Sequence, residues 1–152
     1  MRFFAGLLAA MLLLAGADKG HGTVRIVCDP GGPIRPYVDR YDHLRASGQN
    51  VIIDGLCASV CTIVLGKISH DKICVTSQAK LAFHAAWDFG ARGLSITNRQ
   101  ATQMLYSMYP SPIRQWIDSR GGLRTRAIFL QGKQLNAMYR LCQVNGQRKL
   151  NA

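Results

Sequence analysis

The stretch VIIDGLCASVCTIVL, residues 51–65, is the part of the chain that most restricts its fold. It begins with a β-branched run, Val51 to Asp54, which predicts a buried strand, and the residues from Ser59 to Leu65 predict a buried helix directly after it. The same order recurs along the chain, with strands predicted at 23–28, 72–75 and 80–84, helices at 36–46, 97–109 and 112–120, and a strand followed by a helix within 127–141. Alternating strands and helices are typical of an α/β fold with parallel pairing.

The N-terminus has the pattern of a targeting signal. Met1 and Arg2 are followed by an apolar run of 15 residues, from Phe3 to Ala17, that ends in the cleavage pattern Ala-Gly-Ala. The run is short for the roughly 20 residues that a membrane-spanning helix needs, so an uncleaved anchor is the weaker alternative. We predict a cleavable signal peptide at 1–17, a single domain at 18–152, and export to the periplasm or the medium.

The predicted export determines how the cysteines are interpreted. An oxidising compartment favours disulfides, and an odd number leaves at least one thiol that is free or pairs between chains. The five are Cys28, Cys57, Cys61, Cys74 and Cys142. Sequence does not fix the connectivity, but we expect Cys61 to pair with Cys74 because their elements are predicted to be adjacent. A metal site that uses Cys57, Cys61 or Cys74 with His70 or His84 is the alternative. The spacing matches no usual zinc pattern, so we expect neither metal nor cofactor.

Charge is distributed unevenly. The chain has a formal net charge of +11, and its eight acidic residues are all aspartates, which excludes a hydrolase built on a pair of glutamates. Residues 89–152 contain ten basic residues and one acid, Asp118. This half is predicted to meet an acidic partner or an anionic membrane surface, or else to be a solvated arginine-rich face. Export argues against nucleic acid as the partner.

Three segments carry residues that suit acyl-transfer chemistry. The turn Asp29-Pro30-Gly31-Gly32 can aim bare backbone N–H groups at one point. Ser59 is predicted at the start of a helix, whose positive end favours developing negative charge, and His84 follows a short strand. A serine hydroxyl becomes a good nucleophile when a base removes its proton, and histidine is the usual base. Taken singly, each has a structural explanation: an N-cap, a core histidine and a tight turn.

These segments resemble the proteolytic subunit of Clp protease in the ClpP/crotonase superfamily, and more closely the small predicted exported proteins related to it. The similarity spans roughly residues 23–142 and is carried by PGG at 30–32, the central stretch at 51–65, LAFHAAW around His84 and IFLQGKQLNAMY at 128–139. It implies a spiral of ββα units, abbreviated at the N-terminus. It also implies that Ser59 is the nucleophile, that His84 is the general base, and that Gly31, Gly32 and Val60 form the oxyanion hole. The resemblance further implies that the substrate is a peptide or protein and that the chain forms a homo-oligomer, as members of the family do.

The sequence departs from this family where the third catalytic residue, an aspartate, is expected. Residues 123–127 read LRTRA and contain no carboxylate. Asp118 lies somewhat early and is a weak candidate, and Asp88 is a second one. Two functions therefore remain open, an exported serine peptidase and a catalytically silent module that binds a peptide or protein. A third possibility is a disulfide-stabilised exported domain without small-molecule chemistry.

Overall fold

The computed structural model describes residues 22–143, so the predicted signal peptide lies outside the described residues. The described part is a mixed α/β fold around one central strand, β2 (Asn50–Ala58). Strand β1 (Thr23–Asp29) pairs parallel to β2 on one side. On the other side the first half of β2 pairs parallel with β3 (Ile73–Val75), and its second half pairs parallel with β4 (Lys80–Phe83). The predicted parallel pairing is confirmed for these strands.

The last strand of the sheet departs from that prediction. Strand β7 (Ile128–Gln131) pairs with β4 in antiparallel register, with Leu130 opposite Leu81. Both of these leucines are fully buried. The chain reaches β7 through two helices rather than a single crossover helix, so it can return to the sheet edge in the opposite direction.

The helices follow the predicted order. Five α-helices occur within the described residues: α1 (Ile34–Ala46), α2 (Val64–Lys67), α3 (Arg99–Ser107), α4 (Ser111–Ser119) and α5 (Gly132–Met138). A 3₁₀ helix, Ser59–Ile63, links β2 to α2 and is buried over four of its five residues. The core forms where these helices cover the sheet, and among its largest fully buried side chains are Tyr41, Ile53, Phe83 and Ile117.

A two-stranded hairpin that the sequence did not predict follows β4. Strands β5 (Trp87–Phe89) and β6 (Ser95–Thr97) pair with each other and not with the central sheet. Each strand is only three residues long and exposed, so no burial pattern marks it in the sequence. Because β6 extends to Thr97, helix α3 begins only at Arg99. Asn98 caps the helix, since its side chain accepts a hydrogen bond from the Ala101 amide.

Two disulfides are present, Cys57–Cys61 and Cys74–Cys142, and Cys28 is free and exposed. The predicted Cys61–Cys74 pair is wrong. Cys74 lies beside Ile52, in the first half of β2, whereas Cys61 follows the far end of that strand. The disulfides fit an exported protein. No helix within residues 22–143 is long and apolar enough to cross a membrane.

Candidate functional site

Ser59 occupies the turn between β2 and the 3₁₀ helix. Its backbone has a φ of +55°, a left-handed conformation that glycine adopts freely and other residues adopt at a penalty of about 1–2 kcal/mol. Ala58, directly before it, is extended, with φ −116° and ψ 155°. The chain therefore turns sharply at Ser59 itself. Strained backbone of this kind persists where the surrounding structure fixes it, and it is found preferentially at functional sites.

A buried hydrogen-bond chain holds the main-chain carbonyl of Ser59. Thr62 Oγ1 donates to the Ser59 carbonyl oxygen at 2.6 Å, and Thr62 is completely buried. Because that hydroxyl proton is used, the 2.8 Å contact between Thr62 Oγ1 and the Tyr109 hydroxyl has Tyr109 as its donor. Burial raises the pKa of Tyr109 to about 12, so its hydroxyl remains protonated at neutral pH. The α3–α4 junction thus holds the carbonyl of Ser59 through Thr62.

The glycine turn packs closely against Ser59. A Cβ placed on Gly31 would lie 2.7 Å from the Ala58 carbonyl oxygen, 2.7 Å from the Ser59 Cβ and 3.2 Å from the Val60 nitrogen. Gly31 also has a φ of +86°. Only glycine allows the two backbone segments to approach this closely, and its missing side chain leaves space beside the Val60 amide.

Asp29 shapes that turn, a role that sequence reasoning missed. Its carboxylate accepts hydrogen bonds from the Gly31 amide at 3.0 Å, from the Tyr37 hydroxyl, and from Arg40 at 3.3 Å. Desolvation, with a further contribution from Asp29, raises the pKa of Tyr37 to about 12. An aspartate two residues before a glycine is the usual pattern of an Asx turn, and this signal was available in the sequence.

The three amides predicted to bind an oxyanion differ in whether their N–H groups already have an acceptor. The Gly31 N–H already donates to Asp29. The Gly32 amide has no hydrogen-bond partner among the described residues. Val60 is the second residue of its helix, so its N–H has no acceptor in that helix. Of the three predicted donors, Gly32 and Val60 are therefore the available ones, and Gly31 supplies the close approach.

His84 follows β4 directly and is partly buried. Its Nδ1 lies 2.8 Å from the Ala85 carbonyl oxygen. A carbonyl only accepts, so in the neutral ring Nδ1 carries the proton and Nε2 keeps its lone pair. The Ala85 amide in turn donates to the Arg124 carbonyl at 2.7 Å. The segment in which the family resemblance places an aspartate thus contacts the residue after His84, through its main chain.

Neither predicted acid accepts a hydrogen bond from His84. Asp118 accepts a hydrogen bond from the Tyr106 hydroxyl at 2.7 Å, and Asp88 accepts one from Asn98 at 2.7 Å. Asp88 belongs to β5 and Asp118 to α4, and both carboxylates are directed to partners of their own. The orienting contact to His84 is the carbonyl of Ala85.

One cavity of about 310 Å³ gathers four of the predicted site residues, whereas Val60, which is buried, is not among the residues that line it. Ser59 and His84 line it together with Gly31 and Gly32. Its remaining lining residues are Pro30, Pro33, Trp87 and Phe89, the last two being exposed aromatic residues of the hairpin with ring centroids 5.0 Å apart. Within the described residues no direct hydrogen bond joins Ser59 to His84. No three histidine, cysteine or acidic side chains among residues 22–143 are grouped to hold a metal ion.

Comparison of the chain with models of known protein families gives no match, and comparison with curated proteins gives none either. The class defined by the fold is a mixed α/β domain with two disulfides. The resemblance to the ClpP/crotonase superfamily depends on the residues quoted for it and stays a prediction.

Proposed function

We propose that this protein is an exported serine hydrolase with a ClpP/crotonase-like spiral fold, acting on peptides or proteins in the periplasm or the medium. One observation carries the proposal: Ser59, in a left-handed strand-to-helix turn, shares a cavity with His84 and two glycines. Strained serine turns of this kind expose the hydroxyl at the end of a strand in many hydrolases. A serine in an ordinary N-cap has no need of a strained backbone.

In the proposed reaction Ser59 Oγ attacks a substrate carbonyl carbon, and His84 Nε2 accepts the hydroxyl proton. The amides of Gly32 and Val60 donate hydrogen bonds to the oxyanion that forms. His84 then transfers the proton to the leaving amine as the carbon–nitrogen bond breaks. A water molecule, deprotonated by the same histidine, hydrolyses the acyl-enzyme and restores Ser59.

The Ala85 carbonyl fulfils one of the two roles of a triad aspartate, the orientation of the histidine ring. Its contact with Nδ1 selects the tautomer that leaves Nε2 free to accept a proton. A neutral carbonyl stabilises the imidazolium less than a carboxylate does. Loss of the carboxylate lowers the rate of a serine protease by about 10⁴-fold through the wrong tautomer, and here the tautomer is retained. We therefore expect Ser59 to react as a nucleophile, but more slowly than the serine of a complete triad.

A second candidate function is supported by a specific observation. In the described part of the chain no carboxylate accepts a hydrogen bond from His84, and Ser59 makes no hydrogen bond to His84. A silent module would use the same cavity, with the exposed Trp87 and Phe89 beside it, to bind a peptide.

Covalent labelling separates the two functions. The oxidised protein would be treated with a fluorophosphonate, and the adduct would be located by mass spectrometry. The hydrolase requires an adduct on Ser59 that disappears in Ser59→Ala and falls strongly in His84→Ala. Ser77→Ala, which removes an exposed serine elsewhere, is the matched control and should label like the wild type. A folded protein without an adduct on Ser59 would favour the silent module.

The basic half supports a further proposal about partners. The four ion pairs in the described residues use Arg25, Arg40, Arg45 and Lys67, all from the first half. The arginines of residues 89–143 make no such pair there. We propose that this half binds an acidic protein partner. Binding should weaken steeply with added salt, whereas a salt-independent association would contradict it.

A further inference from the structure

The disulfide Cys57–Cys61 spans the strained serine. Cys57 lies in the central strand, where it pairs with Asp29 on one side and Leu81 on the other. Cys61 lies two residues beyond Ser59 in the 3₁₀ helix, and the two Cα atoms are 5.4 Å apart. Four extended residues would span roughly 13 Å, so the cross-link requires a sharp reversal of the chain between them.

That reversal begins at Ser59 and is completed in the first turn of the 3₁₀ helix. Cys57 and Ala58 are extended and belong to the strand, and the helix continues beyond Ser59. The cross-link therefore closes a short loop whose bend falls on Ser59, the residue with a φ of +55°. The far end of the loop is fixed as well, because the Tyr41 hydroxyl donates to the Cys61 carbonyl oxygen at 3.0 Å. Both cysteines are completely buried, which makes the bond a structural cross-link and not an exposed thiol pair.

We propose that Cys57–Cys61 is a positioning disulfide that holds Ser59 in the left-handed conformation and thereby directs its hydroxyl into the cavity shared with His84. The part concerning reactivity rests on the proposed function, whereas the part concerning backbone conformation does not. The second disulfide, Cys74–Cys142, ties the described C-terminal segment to β3, far along β2 from Ser59, and provides an internal control.

The conformational part is tested without any activity. Where Ser59 is held with a positive φ, Ser59→Gly melts at a higher temperature than Ser59→Ala, by roughly 4 °C. In a Cys57→Ala/Cys61→Ala background the turn can relax, so this difference should fall to about 1 °C or less. In a Cys74→Ala/Cys142→Ala background it should remain. Where the alanine pair does not fold, Cys57→Val with Cys61→Ala keeps more of the buried volume and is used in its place.

The reactive part uses the fluorophosphonate labelling rate of Ser59. Loss of Cys57–Cys61 should slow labelling on the order of tenfold to 100-fold, and His84→Ala should then cause little further loss. Loss of Cys74–Cys142 should leave the rate near that of the wild type. A melting difference that persists without Cys57–Cys61 would overturn the proposal. An absent adduct in the wild type, together with a lost melting difference, would refute the hydrolase but uphold the positioning role of the disulfide.

Discussion

Replacing Ser59 by glycine should stabilise the protein relative to replacing it by alanine. Alanine retains the Cβ that makes a φ of +55° unfavourable, and glycine removes it. The strain relieved is about 1–2 kcal/mol, and the greater freedom of glycine in the unfolded chain offsets about 0.5–1 kcal/mol of it. We therefore expect Ser59→Gly to exceed Ser59→Ala by about 1 kcal/mol in free energy of unfolding.

The hydroxyl itself should matter little to this comparison. Both variants lack it, and the Ser59 side chain makes no hydrogen bond to another described residue, because Thr62 bonds to the main-chain carbonyl and not to the hydroxyl. For a domain of this size about 1 kcal/mol corresponds to roughly 4 °C in Tm. Urea unfolding and calorimetry of both variants would measure the difference.

A neighbouring position supplies the control. Ala58 has a φ of −116°, so Ala58→Gly should destabilise the protein by about 0.5–1 kcal/mol, as glycine usually does within a strand. The sign of the glycine effect should thus reverse between adjacent residues. A Ser59→Gly variant that is no more stable than Ser59→Ala would refute the assignment of strain to this serine.

Three further predictions concern the surroundings of the site. Gly31→Ala should destabilise the protein by more than Gly122→Ala does. Gly122 has a similar φ of +81° but open space where a Cβ would be placed, so that backbone strain alone costs about 1–2 kcal/mol there. Equal destabilisation of the two variants in urea unfolding would show that the close approach of Gly31 to Ser59 is not needed. Removing Cys74–Cys142, with a sequence separation of 68, should lower the free energy of unfolding by about 4 kcal/mol, because a long cross-linked loop restricts the unfolded chain most. For a loop as short as Cys57–Cys61 the expected loss is about 2 kcal/mol. The reverse order in calorimetry would contradict this prediction. The free energy of unfolding should fall between about pH 10 and 12, because burial raises the pKa of Tyr109 from its usual value near 10 in the unfolded chain to about 12 in the folded protein. In Tyr109→Phe the loss of stability over this range should be smaller by about 2–3 kcal/mol. An unchanged loss would refute this prediction.

The parts of the fold that could be predicted from sequence are those set by local patterns. The β-branched run at 51–54 and the helical spacing of residues 36–46 identify β2 and α1, because burial imposes a period that the sequence records. The hairpin of β5 and β6 escaped prediction because three-residue exposed strands leave no such period. The disulfide pairing escaped it because pairing depends on which half of β2 each neighbouring strand contacts.

The candidate site shows the same division. Ser59 and His84 were predicted from local context, and the structure brings them to one cavity. The hydrogen-bond chain from Tyr109 through Thr62 depends on a contact across 47 residues of sequence, which no local pattern encodes. The positive φ of Ser59 was not predicted either, because glycine, and not serine, is the residue type that marks a left-handed position in a sequence. The orienting partner of His84 is a main-chain carbonyl, a group that every residue carries and that sequence therefore never marks.

That carbonyl also determines which assay suits the proposed hydrolase. A carboxylate both selects the tautomer of a histidine and stabilises the imidazolium, whereas the Ala85 carbonyl supplies the first effect through its hydrogen bond and little of the second. A single attack by Ser59 requires the correct tautomer and forms the charged ring only once. Repeated turnover requires the charged ring to form in both acylation and deacylation. We therefore expect stoichiometric labelling of Ser59 to be readily measurable under conditions in which steady-state peptide hydrolysis is slow. Rapid turnover with a pH profile like that of a complete triad would show instead that a carboxylate reaches His84.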